Sequence, residues 1–153
     1  MPKVQKNLVE RVQSLATHVK EDLRKKGIIL PVKHKDGSIS FDKYTVVKRA
    51  DGYAILSSRS TVVEHINLAQ TAIVAANKLA LGQTLIDDII SQDKWYGYKA
   101  FDEEVYTKSA NNGIKNKDYD KADWCFTRAS IARTQKESYK ASILSLYGRL
   151  KTS

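Results

Sequence analysis

The chain has 153 residues, 42% of them apolar and 28% charged, which suits one compact domain and excludes wholesale disorder. Its single cysteine, Cys125, excludes an intrachain disulfide and a multi-thiolate zinc site. The formal charge of +9 is unevenly spread: residues 1–50 hold 12 basic and 5 acidic side chains, residues 51–105 hold 4 and 8, and residues 106–153 hold 10 and 4.

Val4, Leu8, Val12, Leu15, Val19 and Leu23 recur at spacings of three and four, which predicts an N-terminal amphipathic helix stopped by Gly27. Charged and amide residues interrupt this segment, so it does not read as a signal peptide. From Ile28 to Ser57 the helical period is lost. Short runs rich in β-branched and aromatic residues alternate with Asp36-Gly37 and Asp51-Gly52, turn dipeptides that supply positive φ. A small antiparallel meander of about three strands is expected, with Ile39, Phe41, Tyr44, Val46 and Ile55 on its inward face.

Thr61-Val62-Val63-Glu64 has the form of a capping box, so a helix is expected to begin there. Val62, Ile66, Ala69, Ile73, Ala76 and Ala80 continue its stripe to a stop at Gly82, giving a central, alanine-rich helix. The stretch from Ala69 to Leu81 is too short and too polar to cross a bilayer. Thr84 to Asp87 looks like a further start signal, leading through the aromatic group Trp95, Tyr96, Tyr98, Phe101 and Tyr106 to a stop at Asn112-Gly113, with Gly97 a point of bending. Asp118 or Asp120 can cap the last helix, whose seam is Cys125, Ala129, Ala132, Lys136, Tyr139, Ile143, Leu146 and Leu150. Some 30 residues of helix extend about 45 Å, and antiparallel pairing with the preceding segment makes a long hairpin.

His18, His34 and His65 have no partner at helical spacing with which to share a metal. Asp118-x-Asp120-x-x-Asp123 has calcium-like residue types without the glycine or the final glutamate of a helix-loop-helix site, and reads as helix capping. Asp87-Asp88 and Asp102-Glu103-Glu104 read as solvated faces. Cys125 sits on an apolar seam, where a thiol packs rather than attacks. The chain contains no glycine-rich phosphate loop, nucleophile elbow or H-E-x-x-H.

The aromatic group from Trp95 to Tyr106, interleaved with Lys94 and Lys99, is read first as helix packing and second as a platform for unpaired bases. Arg133, Lys136, Lys140 and Lys151 lie along one flank of the last helix and Lys121 and Arg128 along the other. With Lys3, Lys6, Arg11, Lys20 and Arg24 of the first helix they form a candidate phosphate-binding surface. Tyr139, Ile143, Leu146 and Leu150 form a candidate protein interface, since a projecting hairpin has apolar edge to spare.

The expected fold is α+β and mainly helical: an N-terminal helix, a small antiparallel β-meander over residues 28–57, a central alanine-rich helix and a C-terminal helical hairpin over residues 84–150. Residues 1–153 are read as one domain. The expected function is non-enzymatic, with no catalytic residue, metal or cofactor: a structural or assembly protein acting through protein–protein contacts, as part of a larger particle such as a virion. The alternative is a sequence-nonspecific nucleic-acid-binding protein. The expected partners are the chain itself or another protein, with nucleic acid as the alternative and no membrane. The expected location is the cytoplasm or a particle assembled there.

Overall fold

A computed structural model describes residue 25 and residues 29–58, 60–83 and 86–151. Apart from Lys25, the expected N-terminal helix, with Lys3, Lys6, Arg11, Lys20, Arg24 and His18, lies outside these residues. The described chain is mixed α+β and mainly helical.

Five strands form one antiparallel sheet in sequence order: β1 (Val32–Lys33), β2 (Ile39–Phe41), β3 (Tyr44–Arg49), β4 (Gly52–Ser57) and β5 (Ser60–Ile66). Both expected aspartate-glycine turns are present. Gly37 takes φ +89° and Gly52 φ +129°, a region that glycine enters without steric cost. At the first turn Asp36 accepts the Ser38 amide at 2.9 Å and its hydroxyl at 2.6 Å, bonds that hold the Asp36 carboxyl below its usual range. At the second, a Cβ on Gly52 would overlap the Ile66 carbonyl, so the close approach of β4 and β5 also requires glycine.

The segment read as the start of the central helix is instead the edge strand β5. Thr61, Val62 and Val63 are β-branched and suit a pleated ladder, and β4 offers them a partner. The ladder contains two irregularities. Val62 is extra between the Leu56–Thr61 and Ile55–Val63 pairs, and Glu64 and His65 together stand opposite Ala54. His65 takes φ +59° to accommodate the second bulge.

Helix α1 (Ala69–Ala80) packs on the sheet with Ala72, Ala75 and Ala76 fully buried. These small side chains let the helix sit close to Phe41, Val46, Ile55 and Ile66, all of them buried. Ile39, Tyr44 and Tyr53 pack around this cluster, so the expected inward face is the observed one. At the C-terminal end of α1, Gly82 at φ +83° and the bond from Gln83 N to the Lys78 carbonyl satisfy otherwise unpaired carbonyls.

Helices α2 (Asp87–Lys115) and α3 (Tyr119–Lys151) form the long antiparallel hairpin. The expected stop at Asn112-Gly113 is displaced: α2 continues to Lys115, and Gly113 lies against the backbone at the start of α3. A Cβ there would lie 3.0 Å from the Asp118 carbonyl oxygen and 3.1 Å from the Ala122 nitrogen. The turn is short because Asp118 serves both helices. Its amide donates to the Gly113 carbonyl at 2.7 Å, and its carboxylate accepts the Lys121 amide at 3.2 Å as the cap of α3. Gly97 produces no break in α2. Its missing side chain leaves room for that of Asn67, which lies directly against it.

Candidate functional site

The hairpin seam is built from small residues. Ala110 and Gly113 of α2 and Ala122, Cys125, Ala129 and Ala132 of α3 are buried, which brings the two backbones together. Several larger apolar side chains of α2 lie off this seam. Tyr98, Phe101 and Val105 of α2 are 59%, 65% and 41% exposed. Their spacing of three and four residues places them in one stripe, on the side of α2 opposite Glu103 and Ala110. The packing role expected for the aromatic group is therefore corrected for Tyr98, Phe101 and the exposed Trp95.

Beside this stripe runs an open groove of about 580 Å³ between the end of β5 and α2, lined by His65, Asn67, Lys94, Gly97, Tyr98 and Phe101. Its floor is fixed by Asp93, a buried carboxylate one turn before Gly97. Asp93 accepts the Asn67 amide at 2.7 Å, the Leu68 amide at 2.9 Å and the Thr71 hydroxyl at 2.8 Å. The Asn67 side chain also donates to the Asp93 backbone carbonyl at 3.1 Å. Strand β5, α1 and α2 are thus tied together at one point under the groove. At its rim His65 Nδ1 lies 2.6 Å from Asp51 Oδ2.

The basic residues singled out in α3 separate into two groups. Arg133 Nε donates to Glu103 Oε2 at 2.7 Å and Lys136 Nζ to Glu103 Oε1 at 2.6 Å, so one carboxylate of α2 holds two cations of α3. The Lys136 and Arg133 hydrogen bonds hold the Glu103 carboxyl below its ordinary range, and the bond to Glu103 raises the Lys136 ammonium above its own. The expectation that Glu103 belongs to a solvated face is corrected, since its side chain is only 15% exposed. Lys140 is half-buried on the same flank, and Lys151 is the last residue of α3. On the other flank Lys121 and Arg128 are exposed, with the Arg128 guanidinium 5.1 Å from the centre of the Trp124 ring.

The seam residues proposed as a protein interface turn inward. Ile143 is fully buried, Tyr139 and Leu146 are half-buried, and Leu150 lines an apolar cavity of about 220 Å³ with Tyr147, Ile29, Pro31, Ile39 and Phe41. These four side chains face the chain's own sheet and helices because the C-terminal half of α3 packs against α1. Much of the hairpin's apolar surface turned to solvent lies on α2 and on the N-terminal half of α3, where Trp124 and Ile131 are 54% and 46% exposed.

Cys125 is buried in the seam, and His34 Nε2 lies 2.6 Å from the Ser40 hydroxyl. Among the described residues no three His, Cys, Asp or Glu side chains are grouped to hold a metal ion. No helix among them is long and apolar enough to cross a membrane. Comparisons with protein-family models, curated proteins and solved structures find no match to this chain.

Proposed function

We propose that this chain is a non-enzymatic structural or assembly protein that joins copies of itself, or itself to a larger partner, through the outer face of α2. The observation that carries the reading is the exposed stripe Tyr98, Phe101 and Val105. Fully burying a large apolar side chain contributes roughly 1.5–3 kcal/mol, and these three, about half exposed in the single chain, gain about half of that each when a partner covers them. The groove beside the stripe gives a partner relief to fit, and the Asp93 ties hold its walls in place before binding.

Charge favours a second copy as the first partner. Helix α2 carries six acidic and four basic side chains, a balance of −2, and α3 carries three and seven, a balance of +4. Hairpins that meet with α2 against α3 bring opposite charges together, which steers encounter and sets register. The place of action in this reading is the cytoplasm or a particle, such as a virion, assembled there.

Light scattering across a concentration series at low and high salt, paired with a pull-down, tests the reading. The expected result is a mass that grows with concentration and changes with salt. A salt-insensitive monomer that retains nothing in the pull-down defeats it.

A further inference from the structure

A second face of the hairpin carries a different chemistry and borders the stripe, since the Trp95 ring meets that of Tyr98 edge-on with centres 5.8 Å apart. The chain has two tryptophans, Trp95 on α2 and Trp124 on α3, and both are about half exposed, at 47% and 54%. Each has a cation against its ring. Lys99 Nζ lies 6.0 Å from the centre of Trp95, and the Arg128 guanidinium lies 5.1 Å from that of Trp124. The two helices are bridged at this face by Tyr106, whose ring meets that of Trp124 edge-on with centres 5.8 Å apart.

Helical geometry places these groups in one track. At about 100° per residue, Trp95, Lys99 and Tyr106 fall within about 40° of one another on α2, along about 16 Å of its length. On α3, Arg128 lies one turn beyond Trp124 and Lys121 one turn before it. The cations of this track differ from those of the opposite flank. Arg133 and Lys136 are held by Glu103, whereas no ion pair among the described residues engages Lys99, Lys121 or Arg128. Two exposed indole rings, each beside a cation that no ion pair among the described residues engages, match the chemistry of an unpaired nucleic-acid strand, whose bases present flat faces and whose phosphates recur between them. The net charge of +9 favours approach of such a polyanion.

We propose that the face formed by Trp95, Tyr106 and Trp124 with Lys99, Lys121 and Arg128 binds single-stranded nucleic acid without sequence preference. Bases stack on the two indole rings, Tyr106 props that of Trp124 from between the helices, and phosphates lie against the three cations. The site touches the assembly surface where Trp95 meets Tyr98, and the two are told apart by their readouts, strand binding for one and self-association for the other.

The test uses the full chain with labelled oligothymidylate, oligouridylate and a DNA duplex of equal length. Because both tryptophans lie in the site, indole fluorescence reports stacking directly while anisotropy reports binding. The expected result is binding of the single strands with quenched indole emission, weaker duplex binding, and a log–log salt slope of about −2 for three phosphates. Preference between the two single strands identifies DNA or RNA as the better ligand. Trp124→Ala is expected to weaken binding roughly 5- to 150-fold, the range for losing one stacked base. Should that variant melt early, the surface substitutions Lys99→Gln and Arg128→Gln decide instead, by flattening the salt slope. The proposal is overturned if no single strand binds at low salt, if duplex binds equally well without quenching, or if the variants bind as the parent does.

Discussion

Asp93 caps a helix to which it does not belong. Its carboxylate, on α2, accepts the Leu68 amide at 2.9 Å at the start of α1, where Leu68 itself has no polar side chain to offer. The negative charge also sits at the positive end of the α1 dipole. The same oxygens hold Asn67 N, Asn67 Nδ2 and Thr71 Oγ1, so four donors converge on one buried side chain. Asp93→Ala takes the acceptor from the two amides and the Thr71 hydroxyl, and unfolding in urea is expected to show a loss of at least about 2 kcal/mol. Asp93→Asn keeps an acceptor oxygen and should lose less. A loss below about 0.5 kcal/mol in the alanine variant would remove Asp93 from this role.

The Glu103 clamp gives the hairpin a pH window. Glu103 titrates below its ordinary 4.5 in the folded chain, so its stabilisation is present above pH 4.5 and is lost as pH falls through the lowered folded value. Lys136 titrates above its ordinary 10.5, so its share is complete below pH 10.5 and is lost as pH rises through the raised value. Melting temperature followed against pH should fall at the acid end for the parent chain and less steeply for Glu103→Gln. Identical acid limbs would show that the clamp contributes nothing.

Gly113 and Gly148 are expected to respond in opposite directions to the same change. Both lie in helices, where alanine ordinarily stabilises by up to about 1 kcal/mol. A Cβ on Gly148 meets nothing within 4 Å, so Gly148→Ala should raise the urea midpoint. A Cβ on Gly113 comes within 3.2 Å of the Ala122 Cα, so Gly113→Ala must push α3 outward and should cost about 1–3 kcal/mol. Two shifts of the same sign would contradict the close crossing.

The meander was legible because aspartate-glycine turns and β-branched runs act locally, and the partner strand lies only a few residues away. The fifth strand was not, because Val62, Ile66, Ala69 and Ile73 imitate a helical stripe and Thr61 with Glu64 imitates a cap. What settles the matter is the ladder with β4, a partnership that periodicity within one segment does not express. Asp93 carried no local signal either, since the amides it serves lie some 25 residues earlier. The aromatic group departs from its expected packing role for a related reason. Apolar side chains occur on several sides of α2, and the narrow seam of alanine and glycine, rather than the larger aromatic stripe, faces α3. Arg133 and Lys136 looked free because their pairing with Glu103 depends on the register of the hairpin. That register is set by the three-residue turn from Asn116 to Asp118.

Sedimentation velocity of the parent chain and of a Phe101→Glu, Val105→Glu variant tests the assembly surface most directly. The parent should sediment as larger species with rising concentration, and the variant should remain a monomer with an unchanged melting temperature, because both side chains are exposed in the single chain. A parent that is monomeric throughout, or a variant that associates as strongly as the parent, would contradict the account.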